Sequence, residues 1–79
     1  MLVHFILNQQ AGSGRGRKKW QQFQPQLTIP YELHETKYAG HTCELAREIA
    51  RTATKKHPAC IVAIGGDGTL HEVVNGIVS

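Results

Sequence analysis

Two hydrophobic periods alternate along the chain. Leu2-Val3-His4-Phe5-Ile6-Leu7 is an apolar run interrupted only by His4, the pattern of a strand covered on both faces. A polar, glycine-bearing loop follows over 8–14. Trp20, Phe23 and Leu27 then lay a thin apolar stripe along a helix expected from about Arg15 to Gln24, which Pro25 ends or kinks. Ile29, Tyr31 and Leu33 alternate with other residues, a period of two that predicts a second strand running to about Thr36. Pro30 makes that strand start late or lie at an edge. After a turn at 38–41, Thr42, Leu45, Ala46, Ile49, Ala50 and Ala53 recur at helical spacing. Thr42 is the expected N-cap and Glu44 suits the first turn. Lys55, Lys56 and His57 are expected in the last turn, with Pro58 as the stop. Cys60 to Ile64 is a third apolar strand. It halts at Gly65-Gly66-Asp67-Gly68, after which Leu70, Val73, Val74, Ile77 and Val78 fall at i, i+3, i+4, i+7 and i+8, one face of a third helix.

The order βαβαβα predicts an α/β fold, a three-layer Rossmann-like arrangement on a parallel sheet. If the third strand pairs with the first on the side away from the second, the strand order is 2-1-3. The loops at 8–14 and 65–68 then share one crevice at the carboxyl ends of the strands, where ligands of such sheets bind. Seventy-nine residues allow one small domain, and a core of that size is marginal.

Composition changes this picture little. The formal charge of +3 fits an anionic ligand without demanding one. Cys43 and Cys60 lack metal-binding spacing and read as buried free thiols of a reducing compartment. The start lacks the basic segment of a signal peptide, and no run approaches the ~18 apolar residues of a membrane span. The expectation is a cytoplasmic protein. His4 reads as a packed or edge histidine rather than a ligand.

The first loop, Gly12-Ser13-Gly14-Arg15-Gly16, has neither the spacing of a dinucleotide fingerprint nor the closing Gly-Lys-Ser/Thr of a Walker loop. Arg15, Arg17, Lys18 and Lys19 read as a solvated basic face, with a phosphate or acidic-lipid contact as the sharper alternative. Nucleic acid is not expected as a partner, since no interleaved aromatics or known motif accompany these charges.

The second loop carries more. Glycines directly after an apolar strand let phosphates approach the backbone, and the helix that follows offers free N–H groups and a positive dipole end. A tight turn capped by Asp67 or Thr69 is the plainer alternative. A carboxylate at Asp67 beside phosphates implies a bridging cation, Mg²⁺. Thr69 can donate to a phosphate or cap the helix.

The string Gly65-Gly66-Asp67-Gly68-Thr69-Leu70-His71-Glu72-Val73-Val74-Asn75-Gly76 resembles the signature of the diacylglycerol kinase catalytic domain, a family that includes sphingosine kinases. NAD kinases and phosphofructokinases share only the shorter GGDGT-type element. Two further segments are similar to the family. Asn8 with Ala11-Gly12-Ser13-Gly14 resembles its first loop, with Gln9 where proline is usual. Thr36 with Gly40-His41-Thr42 resembles its Thr…Gly-His-Ala segment, with Thr42 in place of alanine.

What the resemblance implies is an ATP- and Mg²⁺-dependent lipid kinase that phosphorylates diacylglycerol or a similar lipid hydroxyl. It places Asn8, Gln9, Gln10, Ala11 and Gly12 against the nucleotide, Thr36 facing it, and Gly66, Asp67, Gly68, Thr69, Leu70, His71 and Glu72 around the phosphates and ribose. Asp67 is the phosphate-proximal catalytic and metal-associated candidate. His71 stands where the family often has Asn, and a surface histidine competes with a nucleotide contact; Glu72 also fits as a dipole-complementing carboxylate. Members are about four times longer by the same resemblance, with a β-rich second lobe carrying the catalytic base and structural metal ligands. The expectation is therefore that residues 1–79 form part of a nucleotide-binding lobe, inactive alone and poorly stable at its open sheet edge. For a full-length protein the resemblance also implies a peripheral place at the inner membrane face and a homodimer. The alternatives are a fragment of an NAD kinase-like or other GGDGT-type enzyme, and a non-catalytic nucleotide-binding module.

Overall fold

A strand that pairs on both sides must satisfy its neighbours through backbone alone, and the apolar run at the amino end does so. In a computed structural model of the chain, β1 (Leu2–Leu7) lies between β2 (Tyr31–Glu35) and β3 (Ala59–Ile64) in the order β2-β1-β3, all parallel. The structure describes residues 2–8, 14–65 and 67–78, without the side chains of Arg15, Asp67 and Gly68. Helices α1 (Arg15–Phe23), α2 (His41–Thr52) and α3 (Asp67–Val78) complete the βαβαβα order. The expected strand order and α/β class are both present.

Side chains alternate across the sheet, and the two faces of β1 meet different partners. Phe5 packs toward α1, its ring 5.1 Å from Trp20, 5.5 Å from Phe23 and 5.7 Å from Tyr31. Ile6 points the other way and forms the buried core with Ala46 and Ile49 of α2 and Val73 of α3. Helices thus cover both faces, which is why β1 can be apolar almost throughout.

Several boundaries differ from the periodic reading. Pro25 sits in the first turn of a short 3-10 segment, Gln24–Gln26, that extends α1. Helix α2 opens one residue before Thr42: Gly40, with φ 85°, forms the N-cap, a conformation glycine adopts without a Cβ penalty. Thr42 is buried inside the first turn, not a cap. The helix ends at Thr52, because Ala53 turns extended. Lys55, Lys56 and His57 therefore lie beyond it, in a bend where the Thr54 N–H donates to the His57 carbonyl at 3.1 Å. Pro30 precedes an edge strand, as expected. His4 is partly buried on the central strand rather than at an edge. Cys43 and Cys60 are free and half-buried rather than buried.

The apolar stripe of α3 is the largest departure. Val73 is buried, but Leu70, Val74, Ile77 and Val78 are exposed. The buried face runs instead through Thr69, Val73 and Gly76, at i, i+4 and i+7. Small side chains set this face: Gly76 lies so close to α2 that a Cβ there would stand 2.9 Å from the Ala46 Cβ. Among the described residues, no helix is long and apolar enough to cross a membrane.

Candidate functional site

Because all three strands are parallel, their carboxyl ends share one edge of the sheet. Asn8 stands just past β1 on that edge. Its N–H donates to the Ile64 carbonyl at 3.1 Å, and the Thr36 N–H donates to the Leu7 carbonyl at 3.0 Å. The ladder is therefore closed up to the last residue on both sides.

The Asn8 side chain then ties the three βα corners together. Its Nδ2 donates to Thr69 Oγ1 at 3.1 Å, and its Oδ1 accepts a long bond from Thr36 Oγ1 at 3.5 Å. Thr36 and Thr69 are both buried, at 3% and 1% exposure. Hydrogen bonds of this kind contribute about 0.5–1.5 kcal/mol each, and a buried group left without its partner costs about 1–3 kcal/mol. Asn8, Thr36 and Thr69 are thus internal braces of the mouth.

Helix α3 begins at Asp67, inside the glycine string and three residues before its apolar period opens at Leu70. Its amino end, held to Asn8 through Thr69, opens on the mouth, where unpaired N–H groups and the dipole favour an anion. Gly65 supplies the room for this. A Cβ on it would overlap Thr69 Oγ1 and stand 3.1 Å from Thr69 Cβ and 3.4 Å from Asn8 Cβ.

Asp67 and Gly68 form the first positions of α3. Leu70 and His71 are exposed on its first turns and Glu72 is half-buried. Gln9, Gln10, Ala11, Gly12 and Gly66 lie outside the described residues. The basic cluster divides: Arg17 reaches Glu35 at 3.2 Å, while Lys18 and Lys19 are exposed. Past Thr36, the ring of Tyr38 stacks on His41 at 4.5 Å, and its hydroxyl donates to Glu44, a bond that raises the phenol above its ordinary value.

Sequence reasoning did not find a cavity of about 210 Å³ beside the mouth, lined by Lys19, Trp20, Phe23, Ala63, Ile64 and Gly65. Along the sequence Trp20 and Phe23 read only as part of a thin apolar stripe. Their shared cavity with Gly65 depends on how α1 crosses the end of β3, which no local pattern encodes.

Comparison with known proteins gives the family of the chain. The model of the diacylglycerol kinase catalytic domain matches residues 2–79. The chain is 41% identical over 76 residues to the "Putative lipid kinase YtlR" of Bacillus subtilis (strain 168), covering 92% of this chain and 24% of that protein. It is 31% identical over 71 residues to a ceramide kinase of Oryza sativa subsp. japonica, covering 86% of this chain and 12% of that protein. The chain thus spans a quarter or less of the length of these relatives.

Proposed function

The chain belongs to the diacylglycerol kinase catalytic domain family, a family of lipid kinases, and from that membership we propose that it supplies the ATP-binding part of a lipid hydroxyl kinase. The observation that carries the reading is the Asn8 brace, which draws the ends of β1 and β2 and the first turn of α3 to one mouth.

Each element has a role. The amino end of α3 offers N–H groups to the polyphosphate, and Gly65 keeps side-chain atoms out of its approach. Asn8 and the two buried threonines fix the spacing of the corners, so less ordering remains to be done on binding. Lys18 and Lys19 add positive charge on the neighbouring helix, attracting an anionic ligand from a distance.

A single carboxylate among phosphate-binding groups fits a hard divalent cation shared with phosphate oxygens. Asp67 is the residue that would hold Mg²⁺ in this way. When bound, the ion would neutralise phosphate charge. Phosphoryl transfer rests chiefly on positioning and charge stabilisation, and the acceptor hydroxyl needs groups outside the mouth. The chain alone is therefore proposed to bind Mg-ATP without transferring phosphate. The acceptor in the intact kinase is proposed as diacylglycerol or a related membrane lipid, reached from the cytoplasmic side.

Isothermal titration of the chain with Mg-ATP, beside a lipid phosphorylation assay on diacylglycerol and ceramide vesicles, tests both parts. The expected result is saturable binding, weakened at least about tenfold (about 1.4 kcal/mol) by Asp67→Ala, with no labelled lipid. Absence of saturable binding would remove the nucleotide assignment. Sustained conversion of diacylglycerol to phosphatidate would overturn the claim that the chain is inactive alone.

A further inference from the structure

The parallel register of β1 and β2 sets His4 opposite Glu32 and Ile6 opposite His34. Residues two apart on a strand share a face, so His4, Glu32 and His34 project together from the face that carries Ile6. Their polar atoms converge. His4 Nδ1 lies 3.1 Å from His34 Nε2, and each of these nitrogens lies 3.5 Å from Glu32 Oε2.

Those separations match a specific geometry. A tetrahedral zinc ion with nitrogen and oxygen ligands at about 2.0–2.1 Å holds its ligand atoms about 3.3–3.4 Å apart. The three atoms therefore outline one triangular face of such a tetrahedron with little movement. We propose that His4, Glu32 and His34 form a binding site for a borderline divalent metal ion of the zinc class, clipping the central strand to its edge neighbour.

The donor set supports the choice of ion. Two imidazoles and one carboxylate suit zinc and its late transition-metal neighbours, whereas calcium and magnesium prefer all-oxygen shells. Binding through His4 Nδ1 and His34 Nε2 puts the ring protons on His4 Nε2 and His34 Nδ1, the tautomers a neutral ligand pair requires. Glu32 is more than half exposed while His4 is nearly buried, so the ion would enter from solvent and keep water in its fourth position. A cavity of about 270 Å³ lined by His4, Thr52, Lys56 and His57, among others, adjoins His4.

This site stands apart from the nucleotide mouth. His4 precedes Asn8 by four residues along an extended strand, about 13 Å at roughly 3.3 Å per residue. The inference therefore does not rest on the proposed function.

Zn²⁺ and Co²⁺ titrations of the metal-stripped chain test it. The expected outcome is one Zn²⁺ per chain, intense d–d absorption with Co²⁺, and a melting temperature that rises with Zn²⁺. Loss of even an outer-shell partner costs about 10–100-fold in affinity, so Glu32→Gln and His34→Gln should weaken binding by about 100-fold or more. Glu32 is exposed, so its variant keeps the fold and remains informative if His34→Gln does not. His41→Gln and His71→Gln should bind as the parent does. Binding unchanged in Glu32→Gln, or weakened equally by the two control changes, would overturn the site, as would no saturable uptake of either ion.

Discussion

Gly76→Ala should destabilise the chain by about 2 kcal/mol or more, against a helix-propensity gain of up to ~1 kcal/mol for replacing a mid-helix glycine. The two effects have opposite signs, so the sign of the result decides between them. At an exposed helical position the propensity gain would prevail. At Gly76 the added Cβ overlaps the Cys43 carbonyl oxygen and stands 2.9 Å from Ala46 Cβ and 3.2 Å from the Arg47 nitrogen. Two of these three obstacles are backbone atoms of α2 that no rotamer change can move. Relief requires α2 and α3 to separate, which also loosens the Ile6, Ile49 and Val73 contacts beneath them. For a domain of this size 1 kcal/mol moves the melting temperature by about 4–8 °C, so a fall of roughly 10 °C is expected by circular dichroism. Ala46→Gly should not rescue it, because the carbonyl overlap persists. A rise in melting temperature would show that the two helices do not approach as described.

Gly65→Ala should act on ligand binding more than on stability. Its Cβ would overlap Thr69 Oγ1. Either the corner at 65–67 swings outward or Thr69 turns away and gives up the bond from Asn8 Nδ2. Both outcomes displace the amino end of α3 from the mouth. Misplaced phosphate-binding groups lose affinity steeply, and a fall of about 30-fold for Mg-ATP (~2 kcal/mol) is expected by isothermal titration. The chain should still fold, because the core under Ile6 is untouched. Unchanged affinity in a folded Gly65→Ala variant would separate the corner from nucleotide binding.

Much of the architecture is legible in the residues. The near-continuous apolar runs mark a parallel sheet covered on both faces, whereas the order 2-1-3 holds only if β3 pairs with β1 away from β2, which the sheet itself supplies. Helix ends are less legible. At α2 the start depends on a backbone angle at Gly40 rather than on the hydroxyl of Thr42. At α3 the hydrophobic period points to Leu70, Val74 and Ile77, yet contact with α2 is made by Val73 and Gly76. A period counts apolar side chains, whereas close helix packing selects for the absence of one.

The candidate site shows the same division. Asn8, Thr36 and Thr69 can be named from their motifs, but their mutual bonds need the sheet, since 28 and 61 residues separate the bonded pairs. His4 reads as a packed histidine because nothing along the sequence sets it beside His34. Only the register of two strands brings those imidazoles and Glu32 together.

Chemical-shift mapping of the ¹⁵N-labelled chain during titration with Mg-ATP tests the central claim most directly. Saturable shifts are expected at Asn8, Thr36, Gly65, Thr69 and Leu70, at the carboxyl edge of the sheet, with Leu2, His4 and Ala59 toward the opposite edge unmoved. Shifts confined to that opposite edge, or no saturable shifts at all, would contradict it.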